Sequence, residues 1–284
     1  MKGIVWLASY PKSGNTWFRA FLANLLHGGD QPVDINAFGT TSFAARPSYD
    51  RALGWESSDL TVTEIQGARL AVQEVIARED DTVFKVHEAF TDPCDGQPLF
   101  SVSATRAVLY FLRHPLDVAV SFSHHRGKDL DNTIARMNNP LAVMAANDDN
   151  LDIQLPQPLG SWSSHVRSWV DAPGLPVHVL RYEDMLARPQ EVFTAACRFA
   201  GFPDDPARVA RALEHSRFEV LQQQEQAKGF RESSGGRTFF RKGQAGAWRE
   251  VLSPAQVSAI VGQHGEVMRR FGYLNADGTL PEHC

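Results

Sequence analysis

Five consecutive apolar residues, Ile4 to Ala8, stand near the start of the chain, and the spacing then changes. Phe18, Phe21, Leu22, Leu25 and Leu26 recur at helical intervals. A short unbroken run predicts a buried strand, and the second pattern predicts an amphipathic helix. Pro11 and Gly14 break the pattern between them, and Gly28-Gly29-Asp30 ends the helix. The same alternation continues downstream. Thr82–His87, Arg106–Leu112 and Pro176–Asp184 read as strands rich in β-branched or aromatic residues. Residues 59 to 78, Thr133 to Met144, 159 to 171, 189 to 199 and 206 to 215 read as helices. Two further helices begin at Pro115 and after Ser253-Pro254. Strands alternating with helices predict an α/β fold with a P-loop-like central parallel sheet flanked by helices. Residues 1 to 284 are expected to form a single domain. Two polar or irregular excursions interrupt it, at about 30–58 and 124–158, and a basic, glycine-rich loop lies at about 228–243.

The loop between the first strand and helix has the most concentrated chemistry. It holds Lys12, Ser13, Gly14, Asn15 and Thr16, with Trp17 opening the helix. A turn of this kind directs backbone N–H groups and the positive end of a helix dipole at one point. Lys12 adds a full charge, and Ser13 and Thr16 add hydroxyl donors. The expected function is an anion cradle for phosphate; the alternative is an ordinary turn with a surface lysine. The common nucleotide-loop pattern Gly-x-x-x-x-Gly-Lys-Ser/Thr does not occur in the chain.

Three other strand ends repeat the theme, since ligands of open parallel sheets bind at carboxyl ends of strands. Lys85 and His87 end the second strand and share a face. Arg113 ends the third, with Ser121 in the helix that follows, and Asp117 suits that helix's positive end. Alone, each has a plain structural reading: a satisfied histidine, a surface ion pair, a hydroxyl bonded back into its helix. Residues 228 to 243 place Gly229, Gly235, Gly236 and Gly243 among Lys228, Arg231, Arg237, Arg241 and Lys242, which suits a mobile lid over an anion as well as a solvated loop.

Charge and cysteine usage narrow the field. The formal net charge of −5 gives no support to nucleic-acid binding, which wants a basic field. Cys94, Cys197 and Cys284 form neither a metal-ligand spacing nor a disulfide framework, so a cytoplasmic location and no metal are expected. Asn147-Asp148-Asp149-Asn150 reads as a solvated turn, because no glycine or glutamate follows at calcium-loop spacing. No apolar run is long enough for a membrane span. Nothing in the sequence opposes a homo-oligomer. The aromatics Phe38, Phe43, Tyr49 and Trp55 of the first excursion fit either an apolar or phenolic acceptor site or a packed core.

Together these segments resemble sulfotransferases that use 3′-phosphoadenosine 5′-phosphosulfate (PAPS). Tyr-Pro-Lys-Ser-Gly-Asn-Thr-Trp at 10–17 is similar to their 5′-phosphosulfate loop, and Arg-His-Pro-Leu-Asp-Val-Ala-Val-Ser at 113–121 to their 3′-phosphate motif. Lys85-Val86-His87, Arg-Tyr-Glu-Asp-Met at 181–185 and Arg-Lys-Gly-Gln-Ala-Gly-Ala-Trp at 241–248 resemble further family segments in the same order. Gly-Ser-Trp-Ser-Ser-His-Val-Arg-Ser-Trp at 160–169 looks like bacterial members, including those that sulfate glycopeptide antibiotics. Two positions depart from the family: Ala247 stands where aspartate is frequent, and Asn15 where threonine is.

The resemblance implies sulfuryl transfer from PAPS to a small-molecule or glycoconjugate acceptor, leaving adenosine 3′,5′-bisphosphate (PAP). It implies His87 as general base, with Lys12 and Lys85 also catalytic. It assigns Lys12, Ser13, Gly14, Asn15 and Thr16 to the 5′-phosphosulfate, and Arg113, Ser121, Arg241, Lys242 and Gly243 to the 3′-phosphate. Trp17, Tyr182 and Phe218 are assigned to adenine. Two alternatives stand beside it. A nucleotide kinase would need the absent Walker pattern, and a silent nucleotide-binding module would need a lost Lys12 or His87, both of which are present.

Overall fold

The computed structural model describes residues 2–79, 82–145, 152–233 and 235–281. Strand β1 (Ile4–Ser9) leads to helix α1 (Asn15–His27). β2 (Thr41–Ser42), α2 (Arg46–Leu53), a 3₁₀ turn at Ser57–Asp59 and α3 (Val62–Glu79) follow. Next come β3 (Thr82–Val86), β4 (Thr105–Leu112), α4 (Pro115–Arg126), α5 (Leu130–Asn138), β5 (Val143–Met144) and β6 (Gln157–Pro158). α6 (Trp162–Val170), β7 (Val177–Arg181), α7 (Tyr182–Ala187), α8 (Pro189–Ala200), α9 (Pro206–His215), α10 (Phe218–Lys228) and α11 (Pro254–Arg270) complete the chain.

Five strands make one sheet in the order β2-β3-β1-β4-β7, the parallel sheet expected from the alternating pattern. β1 is buried along its whole length, as an unbroken apolar run requires of a central strand. It pairs in parallel with β3, Ile4 opposite Thr82 and Ala8 opposite Val86. That register brings Ser9 and His87, the next residue on each strand, side by side.

The chain forms two compact units. One comprises residues 1–10, 41–110 and 139–179; the other comprises 11–40, 111–138 and 180–284. The first unit packs around Trp6, whose ring meets Phe43 at 5.1 Å, Phe100 at 5.0 Å and Phe84 at 5.9 Å. In the second, Phe193 of α8 meets Phe18 and Phe21 of α1 at 5.4 and 4.6 Å.

Three expectations change, and one helix was not expected. The excursion at 30–58 contains β2, α2 and a 3₁₀ turn, and its Phe43 and Tyr49 are fully buried core residues, so core packing accounts for them. The helix expected over Thr133 to Met144 stops at Asn138, before Pro140, and Val143–Met144 instead pairs antiparallel with Gln157–Pro158. The strand expected to run to Asp184 ends at Arg181, and Tyr182 begins a helix. Helix α10 has no sequence signature, because Leu221 is its one buried residue and no apolar stripe marks it. The expected turn at 147–150 and Cys284 lie outside the described residues.

Candidate active site

In the second unit, the loop before α1 is shaped by two residues with left-handed backbone. Lys12 has φ 69° and Gly14, the N-cap of α1, has φ 103°. Only glycine fits at 14. A Cβ there would lie 2.8 Å from Cδ2 of Tyr182. Ser13 is 1% exposed, yet its hydroxyl has no protein partner, and the buried indole N–H of Trp17 has none either. Buried polar atoms are normally satisfied, so these two at a helix N-terminus fit an anionic ligand.

The β4–α4 junction supplies the second group. Arg113 donates from Nη1 to the carbonyl of Lys12 at 3.2 Å and from Nη2 to the carbonyl of Gln244 at 2.9 Å. Its guanidinium also lies over the Tyr182 ring at 4.3 Å. Asp117 stands in the first turn of α4, as expected, and also accepts from two backbone amides: Gly246 N to Oδ2 at 2.7 Å and Trp248 N to Oδ1 at 3.2 Å. Behind it, His114 caps α4 by accepting from Leu116 N, and burial, then Arg249 nearby, holds its pKa down at about 3. It is a neutral structural histidine.

One pocket of this unit is lined by Lys12, Ser121, His124, His125, Arg237, Thr238, Phe239 and Arg241. The ammonium of Lys12 sits 3.4 Å over the Phe239 ring. Lys242 does not line this pocket; its Nζ is 3.9 Å from the carboxylate of Glu250. Trp17 meets Tyr182 edge-on at 6.1 Å. Phe218 packs against Gly243, where a Cβ would lie 2.5 Å from its Cδ2.

The loop at 228–243, expected as a lid, is tied down at several of its described residues. Phe230 and Phe240 are buried in a cluster with Ile35, Phe38 and Leu221. The carboxylate of Glu225 accepts from Phe239 N at 2.7 Å, Phe240 N at 2.9 Å and Ser233 Oγ at 3.1 Å, and Glu232 pairs with Arg19 at 2.7 Å.

In the first unit, His87 follows β3 directly and is half-buried. Its Nδ1 lies 2.8 Å from the carbonyl oxygen of Ser9 and 3.2 Å from Ser9 Oγ. A carbonyl only accepts, so Nδ1 carries a proton; when the ring is neutral its lone pair is therefore on Nε2, the tautomer a general base needs. The backbone of His87 is held as well. Its N–H donates to Glu88 Oε2 at 3.2 Å, and its carbonyl accepts from Nε2 of His165 at 3.0 Å. Tyr110 OH donates to Nδ1 of His165 at 2.8 Å, and burial lowers the pKa of His165 to about 4. Glu88 is itself paired with buried Arg69 at 3.2 Å. Lys85 is half-buried on β3, opposite Leu7 and Ser42.

A family model described as the sulfotransferase domain matches residues 2–272. The chain belongs to the sulfotransferase family. The enzyme is of the kind that takes its sulfuryl group from PAPS. It is 27% identical over 259 residues to sulfotransferase 2A6 of Rattus norvegicus, covering 89% of this chain and 80% of that one. It is 26% identical over 276 residues to cytosolic sulfotransferase 1 of Arabidopsis thaliana, covering 89% and 75%. The fold matches a retinol dehydratase solved with androsterone and the inactive cofactor PAP, at TM-score 0.62 and 18% identity over 94% of this chain and 80% of that chain.

Of the residues singled out from the sulfotransferase's sequence, Lys12, Ser121 and Arg241 line one pocket, and Gly14, Arg113 and Tyr182 meet at another point of the same unit. Ser9, His165 and Phe239 escaped the sequence reading, and Asp117 was read only as a helix-dipole residue. Ser9 acts through a backbone carbonyl, which no side-chain pattern announces. His165 lies in the 160–169 segment, whose likeness was visible but whose role was not.

Proposed function

We propose that this sulfotransferase transfers the sulfuryl group of PAPS to a hydroxyl or amine of a small-molecule, glycopeptide or saccharide acceptor, with His87 as the base. The observation that supports the donor half is the pair of buried, unsatisfied donors, Ser13 Oγ and Trp17 Nε1, beside the left-handed turn at Lys12 and Gly14. Ser13, Gly14, Asn15 and Thr16 hold the 5′-phosphate in this reading. Arg113, Ser121, Arg241, Lys242 and Gly243 meet the 3′-phosphate, with Lys242 released from Glu250. Trp17, Tyr182 and Phe218 face adenine.

Bound PAPS supplies an activated sulfuryl group. Lys12 neutralises charge gathering on the phosphate it contacts, the preorganised electrostatic contribution that is usually the largest in such sites. Lys85 steadies the sulfuryl oxygens. The acceptor's proton passes to Nε2 of His87, whose Nδ1–H is already committed to Ser9 O. Free Cys94 and Cys197 accord with a cytoplasmic enzyme.

Calorimetry with PAP, with and without a chelator, tests the donor site. Binding of equal strength in both is expected. Binding that disappears with the chelator, or tighter binding of ATP, overturns the reading. A screen with labelled PAPS and phenols, steroid alcohols such as androsterone, sugars, glycopeptides and amines, read by product mass, identifies the acceptor. Binding of PAP without turnover on any acceptor would favour a silent module.

A further inference from the structure

We infer that Asp117 is the positioning residue that sets Arg241, Lys242 and Gly243 at the 3′-phosphate, although it touches no ligand itself. The inference rests on the nucleotide reading of this site. Asp117 lies in the first turn of α4 and is 2% exposed. A buried carboxylate is costly unless its oxygens are satisfied. Here both oxygens accept from main-chain amides of one short segment, Gly246 at 2.7 Å and Trp248 at 3.2 Å. Four residues earlier, Arg113 holds the carbonyl of Gln244 in the same segment at 2.9 Å. The β4–α4 junction therefore grips residues 244 to 248 at three backbone atoms, immediately after Arg241-Lys242-Gly243. One turn further along α4, Ser121 lines the pocket that Arg241 also lines. A single rigid helix thus sets both the hydroxyl and the basic segment proposed to meet one phosphate.

The arrangement also explains why Ala247 is tolerated where the family often has aspartate. Asp117 reads the backbone on either side of position 247, and Gly246, at φ 81°, supplies the turn between. The side chain at 247 plays no part in the grip.

The test is Asp117→Asn, with Asp117→Ala beside it. Asparagine keeps the shape but offers one acceptor, and turns an amide N–H₂ toward the other backbone N–H. Binding of PAP and of AMP is measured by calorimetry for wild type and variants, with thermal unfolding as a check. Expected is a loss of at least about tenfold for PAP with a change under about threefold for AMP, which lacks the 3′-phosphate. Equal losses for both nucleotides mean a merely structural residue and overturn the inference, as does unchanged PAP binding. If Asp117→Ala fails to fold, Asp117→Asn alone decides. Wild-type protein that binds neither nucleotide would instead overturn the donor-site reading, so the two failures are distinguishable.

Discussion

Gly14→Ala is a sharp test of the loop geometry. The added methyl meets two obstacles. Left-handed backbone costs a non-glycine residue about 1–2 kcal/mol. The new Cβ would also stand 2.8 Å from Cδ2 of Tyr182, well inside contact distance. That ring has little room to yield: Tyr182 is 8% exposed, Arg113 covers it at 4.3 Å and Trp17 meets its edge at 6.1 Å. Overpacking of this sort costs about 1–3 kcal/mol, so the sum is about 2–5 kcal/mol. At about 2–4 °C per kcal/mol for a chain of this size class, the melting temperature should fall by roughly 4–20 °C. PAP affinity should fall at least about tenfold, or about 1.4 kcal/mol, because the loop amides move. The cycle is completed by Tyr182→Leu and the double variant. With the ring gone, Gly14→Ala should cost only the backbone share, and the difference is the clash. No coupling between 14 and 182, or a Gly14→Ala protein that melts and binds like wild type, would refute the reasoning.

His87→Ala should cut transfer about a hundred- to ten-thousandfold in a product assay and leave PAP binding by calorimetry nearly intact; most activity retained would make His87 structural. Lys12→Ala should lower both turnover and nucleotide affinity. Arg113→Ala should weaken PAP far more than AMP, since only PAP has the 3′-phosphate, and equal losses would move that phosphate elsewhere. Hydrogen exchange across 228–243 should slow when PAP is added, whereas equal rates would remove the lid proposal. For pH, the neutral His165 has its folded pKa lowered by burial from 6.5 to about 4. The unfolded chain therefore binds the extra proton first as pH falls from about 6.5 to about 4, and stability drops across that window by at most about 1.4 kcal/mol per pH unit from this group. His165→Gln should flatten that part of the melting-temperature profile; an unchanged slope would mean His165 takes up its proton without cost.

Strands β1, β3, β4 and β7 and the loop before α1 were legible because their signals are local. Ile4 to Ala8 must be a buried strand, and Lys12 to Thr16 must turn before an amphipathic helix. Arg113 and Ser121, proposed here to meet the 3′-phosphate, stood out for the same reason. What the sequence hid depends on tertiary partners. Asp117 looked like a helix-dipole residue, and only the folded chain brings Gly246 and Trp248 to it. The glycines at 229, 235, 236 and 243 advertise freedom, but Phe230 and Phe240 anchor the loop they belong to. Helix α10 lacks an apolar stripe, so periodicity had nothing to detect.

The bond from Arg113 to the carbonyl of Lys12 has a mechanical consequence. A peptide unit is planar and trans, so its C=O and N–H point in opposite directions. Drawing the Lys12 carbonyl toward Arg113 fixes the amide hydrogen of Ser13 on the other side. That single plane ties the two proposed phosphate subsites together. Were an anion to pull the guanidinium, the amide proposed to await the other phosphate would tilt with it, so an Arg113 variant should leave a smaller echo in the binding of AMP.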